Sequence, residues 1–331
     1  MRLLEERAPE LQQRYGVSFR ITGIASRRMG WIANPNGVES ALLAPNPSPL
    51  PDIPRTAASA PHADVHSWLA AARADVVFEA TSLNVENGQP AVDHIRAALG
   101  HGAHAITANK GPIVHAYSEL RDLAATRGKR FLFESTVMDG VPIFSLFEQL
   151  PALRLQGFHG ILNSTTNVVL SEMEQGLSFD EALKKAQALG VAETDASHDI
   201  DGWDAAVKTA ALITVLMDVP IRLDQIEREG IRDLTPSAVR NARRDGWPFK
   251  LVCRARRTSS RNPDGVEVHG IEASVRPKKI LSTQPMARIS GTSSYLCFET
   301  DVFPGLAITE ENPGLYATAY GMLADLVRAV R

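Results

Sequence analysis

The chain has 331 residues, 44% hydrophobic and 22% charged, with 35 basic against 38 acidic side chains and a formal net charge of −3. That length predicts two domains, and the balanced charge excludes the electrostatic pull that nucleic acid or an anionic membrane surface needs. Two cysteines, Cys253 and Cys297, build neither a disulfide framework nor a zinc cluster, and the first fifteen residues contain no signal-peptide core, so a cytoplasmic protein is expected.

In chain order, Leu3, Leu4 and Leu11 predict an amphipathic helix over 2–14, followed by a strand over 17–25. Residues 30–63 hold seven prolines (Pro35, Pro45, Pro47, Pro49, Pro51, Pro54 and Pro61) and read as a long loop. Then come helix 64–72, strand 75–80, helix 89–99, strand 103–107, helix 112–127 and strand 130–134. This alternation predicts βαβ units and a parallel sheet. Beyond Pro142 lie helix 142–149, strand 154–162, helices 166–175 and 179–189, an acidic turn 193–201, helix 202–217 and a helix near 236–244. Alternating runs at 249–257, 265–276, 286–290 and 293–300 precede a closing amphipathic helix 315–330, a grouping that suggests an α+β second domain. Val252, Leu296 and Phe298 could supply a sheet interface between subunits.

The most informative stretch is Glu193–Met217. From Ala205 to Met217 the single charge is Lys208, on a helix apolar enough to be buried on every face, with Asp204 one turn earlier on the same face. A desolvated lysine held by a carboxylate is what a general acid or base needs, its pKa tuned toward neutrality. Glu193, Asp195, Asp199, Asp201 and Asp204 precede or open that helix. They could be a solvated loop favouring a helix N-terminus or, with poorer spacing, a calcium loop. Carboxylates gathered beside a buried lysine fit better as ligands for a substrate ammonium, which points to an amino acid or a derivative of one.

A second constellation, Thr107-Ala108-Asn109-Lys110-Gly111-Pro112, falls where a strand ends and a helix begins, the place where doubly wound sheets bind ligands. Thr81 and Ser82 occupy the same rim after the preceding strand, and Ser26-Arg27-Arg28 the rim after the first one. Arginine at that last position accommodates a 2′-phosphate, so NADP is expected over NAD.

The blocks TANKG (107–111), ESTVMDGVPIF (134–144), GILNSTTN (160–167), GVAETDASHDIDGWDAAVK (190–208) and GLYATAYGMLADL (314–326) together resemble the homoserine dehydrogenase family. The resemblance implies an α/β fold, with a Rossmann-like NAD(P) domain over 1–141 completed by the helix 315–331, and a catalytic and dimerisation domain of α+β type over 142–314. It implies interconversion of L-aspartate 4-semialdehyde and L-homoserine with NADP or NAD, in threonine and methionine biosynthesis, by a homodimer. Lys208 would move the proton at the carbonyl oxygen. Glu193 and Asp204 would bind substrate, and Asp199 would support that site. Lys110 would lie between nicotinamide and substrate, with Thr81, Ser82 and Asn109 near the cofactor, Gly190 at the domain junction, and Gly314 opening the segment that returns to the cofactor domain. Glu134, Val137, Asp139 and Val141 match a block that holds sodium or another monovalent cation. Ser164 and Asp139 depart from the family pattern. The family also opens with a buried strand and G-x-G-x-x-G, of which this sequence has neither, so the expectation is a reading that begins downstream of the natural start. A non-catalytic homologue binding an amino-acid-like ligand, and a dehydrogenase for another amino-acid semialdehyde, are the alternatives.

Overall fold

A computed structural model describes residues 1–27, 29–38, 64–261 and 267–331, which form two units: Met1–Thr136 with Tyr316–Arg331, and Val137–Leu315. Arg28 and residues 39–63 of the proline-rich stretch lie outside the described residues.

In the first unit, helix α1 (Arg2–Tyr15) buries Leu3 and Leu11 against Val17 and Leu323 of the C-terminal helix (Leu315–Val330). It stops at Gly16, whose φ of 67° is the left-handed C-cap that glycine adopts without strain; the Gly16 and Val17 amides close back on Gln12 and Leu11. The expected strand over 17–25 is confined to β1 (Gly23–Ser26). The backbone before it is used differently, with the Ile21 and Thr22 carbonyls accepting from Val38 and Asn34. Its partner β2 (Gly30–Ala33) falls inside the segment read as loop, because the prolines that signal a loop begin only after it. The two strands form an antiparallel hairpin, Gly23↔Ala33 to Ser26↔Gly30, so Ser26 and Arg27 sit at a hairpin turn rather than at the mouth of a parallel βαβ unit.

Helix α2 (Val65–Ala72) starts on a capping box between Asp64 and Ser67 and fastens the hairpin through the Trp68 indole, which donates to the Ile32 carbonyl at 2.7 Å. Strands β3 (Val76–Glu79), β4 (His104–Thr107) and β5 (Phe131–Leu132) then make a parallel sheet in the order β3-β4-β5, alternating with helices α3 (Ala91–His101) and α4 (Gly111–Thr126). Ile106 and Leu132 from this sheet pack on Leu326 and Ala329 of the C-terminal helix. Each fully buried aliphatic side chain there contributes about 1.5–3 kcal/mol.

The second unit contains α5 (Phe144–Glu148), β6 (Leu155–Ile161), α6 (Ser164–Glu174), α7 (Phe179–Ala188), the one-turn α8 (Ser197–Ile200) and α9 (Trp203–Leu216). Then follow β7 (Glu227–Arg228), α10 (Pro236–Arg244), the long strands β8 (Phe249–Arg261) and β9 (Glu267–Lys279), β10 (Ser294–Thr300) and β11 (Leu306–Glu310). The sheet order is β11-β10-β6-β8-β9-β7, antiparallel except for β7 on β9. In β6 a Cβ at Gly160 would come within 2.2 Å of the Tyr295 carbonyl, so only glycine lets β6 and β10 pair this closely.

Helix α9 packs across β8 and β9 with nine buried residues, which explains its nearly unbroken apolar sequence. Sequence reading missed β7, which is two residues long, and β11, whose side chains alternate between half-buried and exposed. The run 286–290 is not a strand; Pro285–Arg288 forms a 3₁₀ turn in which Met286 and Ala287 cover the sheet. Val252, Leu296 and Phe298 are all buried within the subunit, Phe298 edge-on to Phe147, and so are not available as an intersubunit face.

Candidate active site

In the second unit, α9 begins at Gly202, whose φ of 82° turns the chain sharply into the helix and presents Asp204 in the first turn and Lys208 in the second. The Lys208 Nζ lies 2.9 Å from Asp204 Oδ2 and donates to the Leu162 carbonyl at 2.6 Å. Their side chains are only 19% and 20% exposed, which separates this pair from an ordinary surface salt bridge. Burial by itself would lower the lysine, yet the Asp204 carboxylate, with Asp139 and Asp199, outweighs it and holds Lys208 above its ordinary value. The expectation of a pKa tuned toward neutrality is therefore corrected: Lys208 is charged at neutral pH.

Helix α6 supplies the other wall. Asn163 caps it by accepting from the Thr166 amide at 2.9 Å, while its own amide group donates to Asp199 Oδ1 at 2.6 Å and Asp204 Oδ2 at 3.1 Å. The Thr165 hydroxyl lies 2.8 Å from Asp199 Oδ2. Burial, then Asp204, push Asp199 upward against these hydrogen bonds. The Ser164 hydroxyl, which departs from the family pattern, donates to the Thr292 carbonyl at 3.0 Å. On β11, Glu310 joins the same electrostatic field: burial, then Asp139, raise its carboxyl to about 7 despite Lys208, and its Oε2 is buried without a hydrogen-bond partner.

The acidic stretch does not converge as a whole. Asp199 and Asp204 gather at Lys208, whereas Asp195 caps the Ser197 amide, Asp201 pairs with Arg232 at 3.0 Å, and Glu193 is exposed. Gly190 ends α7 in a left-handed turn and Gly314 is exposed just before the C-terminal helix.

In the first unit, the ends of β3 and β4 build a polar rim. The buried Glu79 carboxylate accepts from the Thr81 amide at 2.8 Å and the Thr107 hydroxyl at 2.9 Å. Burial would raise Glu79, but hydrogen bonds from His94, Thr81 and Thr107 hold it below its ordinary value. Asn109 donates to the Thr81 and Ser82 carbonyls and accepts from the Gly111 amide at 2.8 Å, so Thr81, Ser82 and Asn109 are brought together as expected from the sequence. Lys110 stands at the N-cap of α4. Thr81 and Ser82 are exposed above this buried support, a donor and acceptor edge that fits the polar rim of a nucleotide. The Ser26 hydroxyl accepts from the Met29 amide within the hairpin turn, where Arg27 also lies.

The proposed cation block looks different. The Glu134 carboxylate is 3.2 Å from Arg328, which also pairs with buried Asp325 at 2.9 Å. A further cation at Glu134 would face that guanidinium. The Val141 carbonyl already accepts from Ile143, and Asp139 takes a left-handed φ of 53°. Among the described residues no group of three or more His, Cys, Asp or Glu is placed to hold a metal ion, and no helix is long and apolar enough to cross a membrane.

Asn163, Thr165, Glu79 and Glu310 were not singled out by sequence reading. Asn163 had a usable signal, an Asn followed by hydroxyl residues at the start of a helix, but a cap is its ordinary meaning.

The homoserine dehydrogenase family profile matches residues 142–327, and that of the homoserine dehydrogenase NAD binding domain matches 2–134. The NAD(+)-dependent homoserine dehydrogenase of Pseudomonas canavaninivorans is 33% identical over 98% of this chain and 90% of its own length. The homoserine dehydrogenase of Sulfurisphaera tokodaii is 31% identical over 98% and 92%. Among solved structures, the putative homoserine dehydrogenase from Archaeoglobus fulgidus superposes with a TM-score of 0.80 at 28% identity, covering 99% of this chain and 93% of that one. A hyperthermophilic archaeal homoserine dehydrogenase in complex with NADPH gives 0.79 at 26% identity, with the same coverage. The chain belongs to the homoserine dehydrogenase family of oxidoreductases.

Proposed function

We propose that the protein interconverts L-aspartate 4-semialdehyde and L-homoserine, and that Lys208 is the group that moves the proton. The observation that carries this reading is the Lys208–Asp204 pair at 2.9 Å, buried beside Asp199 and capped by Asn163. When bound, the nicotinamide supplies or receives the hydride at the substrate carbon. In the reducing direction the charged Lys208 gives a proton to the carbonyl oxygen as the alcohol forms, and its partial exposure lets solvent restore that proton. Asp204 aims the ammonium and balances its charge, and Asn163 and Thr165 hold Asp199 and Asp204 in place. Glu193 and Asp204 are assigned to the substrate ammonium; the exposure of Glu193 leaves it accessible to a ligand. Asp199 supports that subsite.

Thr81, Ser82, Asn109 and Lys110 are assigned to the cofactor, supported by the rim that Glu79 and Asn109 fix. Gly190, in a left-handed turn, and the exposed Gly314 are also assigned to the cofactor. Ser26 and Arg27, exposed at the hairpin turn, are assigned to the adenosine end, where the Arg27 guanidinium would pair with a 2′-phosphate and so favour NADP over NAD. A monovalent cation at Glu134, Val137, Asp139 and Val141 fits poorly, since Arg328 already balances Glu134. The protein is taken to work as a cytoplasmic homodimer. The family relationship over both units does not favour the non-catalytic alternative. Oxidation of NADPH and NADH, followed with aspartate 4-semialdehyde and with other amino-acid semialdehydes, tests the reading. Turnover that is fastest with aspartate 4-semialdehyde and NADPH supports it, and absence of turnover with that aldehyde overturns it.

A further inference from the structure

At the end of α6 away from Asn163, a cleft of about 660 Å³ opens between α6, α10, the start of β8 and the segment 282–290. From Asn163 to Glu174 the helix rises about 16 Å, so this cleft is separate from the Lys208 site. Its charged lining is Glu174, Arg243, Lys250 and Arg288, and Ser171, Ser282 and Ser290 add hydroxyls. The size suits a small organic ligand with room for water.

Two of these groups have unmet bonding capacity. Lys250 is only 2% exposed; its ammonium donates to the Ile289 carbonyl at 2.6 Å and to Asn167 Oδ1 at 3.2 Å, which uses two of its three protons. The Glu174 side chain is 12% exposed, with Oε2 3.6 Å from Arg243 and Oε1 buried without a partner. Burial lowers Lys250 and raises Glu174, so each charge lacks full compensation where it stands. A bridging water could complete the hydrogen bonds, but it would not offset three cations against one carboxylate. A ligand that does both presents anionic oxygens to the cations and an N–H donor to Glu174.

We propose that this cleft is a second ligand site for a small acidic amino acid. Its ammonium would bond the Glu174 carboxylate, and its carboxylates would meet the third Lys250 proton and the Arg243 and Arg288 guanidiniums. Nothing in this proposal depends on the dehydrogenase reading, because its test measures binding without turnover.

The test is isothermal titration of the full chain with L-glutamate, and with glutarate, which has the two carboxylates and no ammonium. The expected result is saturable binding of one glutamate per chain, tighter than glutarate. Arg288→Ala should weaken glutamate by about tenfold, the loss of one charged hydrogen bond. Glu174→Gln should also weaken it about tenfold while glutarate binds as well as before or better. Lys208→Met should leave glutamate binding unchanged. Because Lys250 is built into the core, the exposed Arg288 and the near-isosteric Glu174 change carry the test. Absence of binding, equal affinity for glutarate, indifference to both cleft variants, or loss of binding in Lys208→Met would each overturn the proposal.

Discussion

Replacing Asn163 by Asp isolates what the carboxamide does at the acid cluster. The new side chain keeps an oxygen for the Thr166 amide at 2.9 Å, so the α6 cap survives, but it puts a third carboxylate where the amide donates to Asp199 at 2.6 Å and to Asp204 at 3.1 Å. Two hydrogen bonds to charged acceptors are lost, about 3–6 kcal/mol together, a large part of the stability of a typical domain, about 5–15 kcal/mol. The sign with pH is fixed. Asp199 is already raised in the folded state by burial and by Asp204, and the added carboxylate raises these acids further. Acids raised on folding stabilise below their unfolded values and lose that contribution as pH rises through the folded ones, so the deficit should be small in mild acid and largest at neutral pH. Urea unfolding of wild type and Asn163→Asp across this range reads it directly, and Asn163→Ser, which caps without adding charge, should show a smaller and flatter deficit. A full-sized deficit that does not change with pH, or none at neutral pH, would refute the assignment of Asn163 as the donor that holds the cluster.

Two further outcomes concern the first unit. Glu79→Gln replaces one acceptor of the rim network by a donor facing the Thr81 amide or the Thr107 hydroxyl, so the KM for the nicotinamide cofactor should rise about tenfold while the substrate KM holds, measured by steady-state rates. Asp325 is wholly buried, and burial lifts it from 3.8 to about 7 against the Glu134 amide and Arg328. Between those values the folded protein binds a proton that the unfolded chain has released, so this residue's contribution falls as pH rises, by at most about 1.4 kcal/mol per unit. Asp325→Asn should remove that slope in urea unfolding at pH 5 and 7; parallel curves for the two proteins would contradict the assignment.

What could be read from the sequence was what one element determines. Lys208 and Asp204 stood out because both lie on one face of a helix with no other charge between Ala205 and Met217, and the structure places them in contact. The βαβ rhythm from residue 64 to 134 was legible for the same reason, each strand and helix carrying its own period. What needed three dimensions was missed. The Lys208 shift also draws on Asp139 and Asp199, which arrive from segments outside α9 and add to Asp204 on its own helix. The placing of Ser26 and Arg27 depended on which strand pairs with β1, and the partner is β2, which begins four residues after β1 ends and runs opposite in direction. Glu310 went unnoticed because β11 is a half-exposed edge strand whose apolar signal is weak.

The central claim is that Lys208 donates the proton. The direct measurement is the turnover of Lys208→Met in NADPH oxidation with aspartate 4-semialdehyde, beside circular dichroism and a cofactor titration of the same protein. The account predicts a folded, cofactor-binding variant whose kcat falls about 10²- to 10⁴-fold, the usual contribution of a positioned general acid. A folded variant that keeps a kcat within a few-fold of wild type would contradict it.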